Sequence, residues 1–190
     1  WGAEIEPSSA EKADQVRRRY GRLNGAHGQC LGSYVFLWGN KQERTPTWYG
    51  LFDAQGRATE SVATISSLWA VKGEDCACPR IGRLLLDSKE ASENVRVQAG
   101  AWIDAVCEMA RGELLPGMDR WSLTRESEDK KAGGDREAES QRLDTRFEAL
   151  GEGRVRFAAP LECGNYRVFV EVRGADKWVA TANIPFQVQS

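Results

Sequence analysis

CLGSYVFLWGNKQERTPTWYG, Cys30 to Gly50, changes character twice. Tyr34 to Trp38 are consecutively large and apolar, the residues that follow turn polar and charged, and Trp48 and Tyr49 bring back aromatic rings. A short run that is apolar at every position fits a strand covered on both faces, as in a parallel sheet flanked by helices, better than a half-exposed antiparallel strand. What becomes of this run decides the fold expected for the first third of the chain.

Working outward, Ser8 is followed three residues later by Glu11, the layout of a capping box. Ala10, Ala13, Val16, Tyr20 and Leu23 then recur at three to four residues, which predicts a helix with one face toward a core. Downstream, TESVATISSLWAV (59–71) places Val62, Ile65, Leu68 and Trp69 on one side of a second helix. Helix, buried strand, loop, helix is the rhythm of an α/β domain.

After Gly73 the rhythm changes. EDCACPR carries a proline, two cysteines and no periodicity, and reads as a linker. Beyond it IGRLLLD, NVRVQAGAWIDAVCEM, RWSLT, GRVRFAAP, NYRVFVEV and WVATANIPFQV are β-rich segments bounded by turn residues. Alternation in Arg154–Phe157, and at Tyr166, Val168, Val170 and Val172, predicts strands of an antiparallel sandwich. The run ESEDKKAGGDREAE (126–139) reads as a solvated loop; Asp129 and Asp135 are oxygen ligands, but without the regular spacing of a calcium loop.

With 41% hydrophobic and 28% charged residues among 190, the composition is that of an ordinary globular protein of one or two domains. A formal charge of −2 supplies no overall field to draw the chain to nucleic acid or an anionic membrane. No stretch approaches the roughly 18 apolar residues that span a bilayer, and WGAEIEPSSAEK lacks the regions of a signal peptide. Neither nucleic acid nor a membrane span is expected. Five cysteines cannot all pair, Cys76 and Cys78 are too close in sequence to be expected partners, and His27 is the single histidine, so no metal site is expected. No phosphate loop, nucleophile elbow, Cys–His arrangement or spaced carboxylate pair is present. Catalytic residues stay unknown and no cofactor is expected.

The segment WGAEIEPSSAEKA, followed by CLGSYVFLWGNKQERTPTWYGLF and a helix, resembles the last quarter of a (β/α)8-barrel protein of the glycoside hydrolase type. It is similar to bacterial secreted or periplasmic proteins whose final barrel strand ends in a Trp and a QE-R-TPTW loop. The tail ECGNYRVFVEVRGADKWVATANIPFQV resembles the last hairpin of the immunoglobulin-like or PKD-like domain that follows such barrels. The resemblance implies an α/β plus all-β chain. Residues 1–73 are then the C-terminal helix–strand–helix portion of a (β/α)8 (TIM) barrel, 74–80 a linker, and 81–190 an immunoglobulin-like antiparallel β-sandwich.

Barrel sites gather at the C-terminal ends of strands, so the resemblance implies that the loop after Trp38 faces a carbohydrate cleft in a periplasmic or extracellular protein. Trp38, Gln42, Glu43, Arg44, Trp48 and Tyr49 are the candidate substrate-binding residues: rings to stack on an oligo- or polysaccharide, polar groups for its hydroxyls. Core packing is the plainer role for Trp38, Trp48 and Tyr49, and charge pairing for Glu43 and Arg44. O-glycosyl hydrolysis needs two carboxylates that the resemblance puts on earlier strands, so the chain alone is expected to be inactive. The exposed backbone of a lone barrel strand requires the remainder of the barrel, or another chain, to cover residues 1–73. The order Cys107, Trp121, Cys163 resembles immunoglobulin domains and makes a Cys107–Cys163 disulfide a candidate, with Trp121 and Tyr166 in the core. The alternative function is a non-catalytic glycan- or protein-binding adhesion or structural module, with Trp102 and Trp178 as the candidate exposed rings.

Overall fold

In the longest hairpin among the described residues, β10 (Gly164–Arg173) lies against β11 (Val179–Gln189), antiparallel from Gly164 opposite Val188 to Arg173 opposite Val179. Both strands are buried at successive positions, the pattern of strands covered on two faces. One face belongs to a sandwich core; the other carries Arg167, Phe169, Glu171, Thr181 and Asn183 and is covered by the N-terminal third of the same chain. These relations come from a computed structural model that describes residues 1–25, 28–69, 77–114, 117–127, 137–175 and 177–190.

The chain begins with helix α1 (Ser9–Asn24), a two-stranded hairpin of β1 (Asn40–Glu43) and β2 (Thr45–Gly50), and helix α2 (Glu60–Trp69). The sandwich follows, from β3 (Arg80–Leu86) through β4 (Arg96–Gln98), β5 (Trp102–Arg111), β6 (Asp119–Arg125), β7 (Arg142–Leu143), β8 (Glu148–Gly151) and β9 (Arg154–Ala158) to the β10–β11 hairpin. Its sheets run β4-β11-β10-β6-β7 and β3-β5-β9-β8. Alternating inward positions meet between them: Ile103, Ala105 and Cys107 of β5, Val155 and Phe157 of β9, Tyr166 to Val172 of β10, and Ala180 to Val188 of β11. Phe157 lies 6.3 Å from Phe186 and 5.0 Å from Phe147, which stacks in turn on Trp121.

β4 reaches only the last three residues of β11, as a parallel partner at Gln187, Val188 and Gln189. Pro185, which has no N–H to donate, sits just before that pairing starts. The remaining edge of β11 is closed locally: Ala58 exchanges backbone bonds with Lys177 and Val179, and the Thr181 N–H donates to Ser9 Oγ.

Three polar clusters fasten the N-terminal layer to the sandwich. Glu6 is buried and accepts from Lys12, from the Thr45 hydroxyl and from Asn183. Arg57 bridges Asp53 and Glu171, and Glu60 accepts from Arg80 and Arg111 at 2.8 Å each, with Arg80 also holding Asp14. Buried charges of this kind are sustained only by partners on every side.

This arrangement corrects the α/β expectation. The described residues of 1–69 contain no parallel barrel strand: Cys30–Trp38 forms no strand, and Leu31 and Tyr34 are fully exposed. The chain is mostly sheet with two short helices, so it is not the βα end of a TIM barrel, and its N-terminal third is covered by its own five-stranded sheet rather than by the remainder of a barrel. Cys107 and Cys163 are both free thiols, the first buried and the second exposed, so the expected bridge is not formed; Cys78 is disulfide-bonded. Tyr166 nevertheless donates its hydroxyl to the Glu162 carbonyl at 2.8 Å, which fixes the start of β10 without a bridge beside it. The charged run is not wholly solvated either, because Glu137 is buried and accepts the Arg44 N–H at 2.5 Å. Asp129, Asp135, His27 and the first three residues of the expected 74–80 linker, Cys76 among them, lie outside the described residues.

Candidate functional site

Ser8 caps α1 in a reciprocal box, its hydroxyl accepting from the Glu11 N–H and its own N–H donating to the Glu11 carboxylate. Ala10 and Ala13 in the first half of the helix are buried, but from Arg17 onward the helix rises clear of the core. There Val16, Tyr20 and Leu23 face the extended segment Ser33–Phe36, and a groove of about 600 Å³ opens between them, floored by Trp48, Tyr49, Gly50 and Leu51. Tyr49 meets Phe36 edge-on at 5.3 Å. Gly50 is required in the floor: its φ is +108°, and a Cβ there would stand 2.4 Å from the Gly39 carbonyl oxygen.

Two charged side chains line this groove, Lys12 and Arg19, and both are basic. Lys12 is engaged, donating to Glu6 and, at 2.6 Å, to the Thr47 carbonyl. Arg19 is exposed and joins no ion pair among the described residues. The groove therefore combines aromatic walls with a single unneutralised positive charge.

The six residues expected to bind substrate do not converge. Trp48 and Tyr49 enter the groove. Trp38 stands outside it, 72% exposed, with its ring edge-on to Phe52 at 5.0 Å. Glu43 pairs with Lys41 across the β1 surface. Arg44 occupies the tight turn between Glu43 and Thr45 at φ +61°, with Nε 3.5 Å from Glu4. Gln42 is partly buried, and its Nε2 has no partner among the described residues. Sequence reasoning missed Arg19, Ser33 and Phe36 altogether, and took Val16, Tyr20 and Leu23 for core. The triplet Arg17–Arg19 beside Tyr20 was the signal available, since a stripe destined for the core is seldom flanked so closely by charge.

A second hollow, about 410 Å³, lies among Trp1, Glu4, Arg44, Arg125, Cys163 and Asn165. Its charges are already matched: Arg44 by Glu4, and Arg125 by Glu162, with the Arg125 guanidinium also over the Tyr166 ring. In the core, burial pushes the Cys107 thiol up to about 12, which keeps it protonated and unreactive. Among the described residues there is no cluster of three or more His, Cys, Asp or Glu that could hold a metal ion, and no helix is long and apolar enough to cross a membrane.

No family model and no curated protein matches the chain. Among the solved structures that resemble it in fold are two of PcoC, a methionine-rich copper resistance protein from Escherichia coli. The first shares 17% identity at a TM-score of 0.40, covering 60% of this chain and all of PcoC. The selenomethionine form shares 14% identity at 0.37, covering 58% of this chain and again all of PcoC. A likeness this loose carries no ligand across. With the barrel gone the carbohydrate cleft goes too: its supposed wall is a hairpin whose charged residues are already paired, Glu43 with Lys41 and Arg44 with Glu4. The adhesion-module alternative is withdrawn with it: Trp178 is partly buried with Lys177 over its ring, and Trp102 stands at the opposite sheet.

Proposed function

We propose that the chain is a binding domain for an anionic amphiphile, a molecule with an apolar body and an acidic head, held between α1 and Ser33–Phe36. The observation that carries this reading is the groove itself. Its volume of about 600 Å³ falls in the range of small-molecule sites, roughly 300–1,000 Å³, and its walls are aromatic and aliphatic with no acidic residue. Tyr20, Tyr34, Phe36 and Trp48 offer faces and edges for a chain or ring to pack on, and Arg19 offers a charge-assisted bond to the head. Trp48 and Tyr49 thus keep a binding role, with a different ligand chemistry from the one first expected. No catalytic step is assigned. The disulfide at Cys78 supports an oxidising compartment, periplasmic or extracellular, as the place where the domain works.

Calorimetric titration with decanoate and with decanol tests the reading. Saturable binding of decanoate is expected, weakened about tenfold in Arg19→Gln, the equivalent of about 1.4 kcal/mol for one charge-assisted hydrogen bond. Phe36→Ser should weaken both ligands, because it removes a wall and not a charge. Absence of saturable decanoate binding, or binding indifferent to both substitutions, overturns the proposal.

A further inference from the structure

Beside the groove-lining residues in the sequence stand exposed arginines of α1 and exposed apolar side chains of residues 31–38, and we infer that together they dock the protein on an anionic phospholipid bilayer. The inference rests on the amphiphile reading of the groove and names the source of the ligand: lipid presented in a membrane. Its first support is charge segregation. The whole chain carries 28 acidic and 26 basic residues, yet from Gln15 to Gln42 there is no aspartate or glutamate, while Arg17, Arg18, Arg19, Arg22 and Lys41 fall within that stretch. A formal charge of −2 for the molecule therefore conceals a strongly basic region, and the expectation that no field draws the chain to a membrane holds only for the average.

The second support is that these arginines are available. Arg17, Arg18, Arg19 and Arg22 are exposed, and none joins an ion pair among the described residues. The arginines that fasten the layers together, Arg57, Arg80, Arg111 and Arg167, each hold a carboxylate. The last two turns of α1 thus present cations with no internal task beyond favourable placement near the helix C-terminus.

The third support is the apolar company they keep. Leu31 at 106%, Tyr34 at 103%, Trp38 at 72% and Phe36 at 63% exposure form a run of large side chains held out in solvent, and Leu23 joins it from α1. Large apolar side chains exposed in the company of charge mark an interaction site. Basic residues beside Trp, Tyr, Phe and Leu are the composition that settles at the boundary between headgroups and acyl chains. Nucleic acid is the less fitting partner, because Leu23 and Leu31 have nothing to stack on a base and the disulfide at Cys78 supports an oxidising compartment.

Co-sedimentation of the intact chain with unilamellar vesicles tests the inference. Binding is expected to phosphatidylcholine vesicles containing one quarter phosphatidylglycerol, to be weak on pure phosphatidylcholine, and to fall as salt rises. Each arginine near an anionic surface contributes about fivefold in affinity, so Arg17→Gln with Arg18→Gln should weaken anionic-vesicle binding by about 25-fold. Neither residue lines the groove, so that pair of substitutions should leave decanoate binding unchanged. Tyr34→Ser with Trp38→Ser should weaken vesicle binding and reduce the blue shift of tryptophan emission on vesicles, Trp48 remaining in the groove. Equal binding to neutral and anionic vesicles, no sedimentation with either, or tighter retention on single-stranded DNA than on anionic vesicles overturns the inference. Decanoate binding retained alongside any of these results would leave the groove standing and remove only the membrane.

Discussion

Glu6 is the point where the attachment of the N-terminal layer is most exposed to test. Its side chain is 1% accessible, and its carboxylate takes three donors: Lys12 on one oxygen, the Thr45 hydroxyl and Asn183 Nδ2 at 2.6 Å each on the other. Asn183 passes the connection to Arg167, which donates to Asn183 at 2.6 Å, to Glu126 and to the Glu4 carbonyl. Glu6→Gln keeps the shape and removes the charge. Its amide oxygen can still serve Thr45 and Asn183, but its NH2 then faces the Lys12 ammonium, donor against donor. Breaking a fully buried ion pair costs about 3–5 kcal/mol, and a hydrogen bond to a charged group is worth about 1.5–3 kcal/mol. Lys12 is 21% accessible and recovers some hydration, so the expected loss is about 2–3 kcal/mol. Urea unfolding should show the midpoint lowered by about 1 M, and thermal unfolding a drop of roughly 5–10 °C. Lys12→Met should cost a similar amount, and the double variant should cost at least 1 kcal/mol less than the sum of the two. A Glu6→Gln loss below about 0.5 kcal/mol, or strict additivity with Lys12→Met, would show that the network fastens nothing.

Two further outcomes follow from the core. Burial raises the Cys107 thiol from 9.0 to about 12, so the folded chain keeps a proton that the unfolded chain releases; stability is full below pH 9 and declines as pH rises toward 12. Urea midpoints at pH 8 and pH 10.5 should reveal that decline, and Cys107→Ala should flatten it. Peptide mapping after alkylation at pH 8 should find Cys30 and Cys163 modified and Cys107 protected until urea is added. Gly153 has φ +71°, and a Cβ there would lie 2.5 Å from the Cys107 carbonyl oxygen, a backbone atom that cannot turn aside. Gly153→Ala should therefore cost more than about 2 kcal/mol, whereas Gly117→Ala, at φ +81° with nothing within 4 Å, should cost about 1 kcal/mol; equal losses would contradict the close-approach account.

The sandwich strands were legible because alternation survives one-sided burial. Val155 and Phe157 point inward between Arg154 and Arg156, and Arg156 is held outside by Asp104 at 2.6 Å, so period two is written directly in the sequence. β7 and β8 were not legible: two residues in the one and Glu148–Gly151 in the other carry too little pattern to separate an edge strand from a loop. The outer layer on β10 and β11 was hidden for a different reason. Arg167, Glu171, Thr181 and Asn183 look like the solvated face of a half-exposed sheet, and only their partners in the N-terminal third, Glu4, Arg57, Ser9 and Glu6, reveal that the face is covered. Polarity reports whether a side chain finds hydrogen bonds, and it is silent on whether water or protein supplies them.

The same ambiguity, reversed, explains Tyr34 to Trp38. An unbroken apolar run identifies residues that need cover, and a parallel strand between helices is the commonest structure that provides it within one domain. Here the cover inside the chain is already assigned: the five-stranded sheet is occupied on its inner face by the core and on its outer face by α1, the β1–β2 hairpin and the residues around Ala58. The run cannot enter either layer without displacing one, so it lies along the rim of α1 with Phe36 and Tyr49 in contact and Tyr34 fully out. Apolar surface left over in this way, beside arginines that also lack partners, is surface whose complement must be both apolar and negatively charged. An acidic amphiphile meets both demands at once, and a bilayer containing acidic lipid meets them both at the arginines of α1 and at the apolar side chains from Leu31 to Trp38.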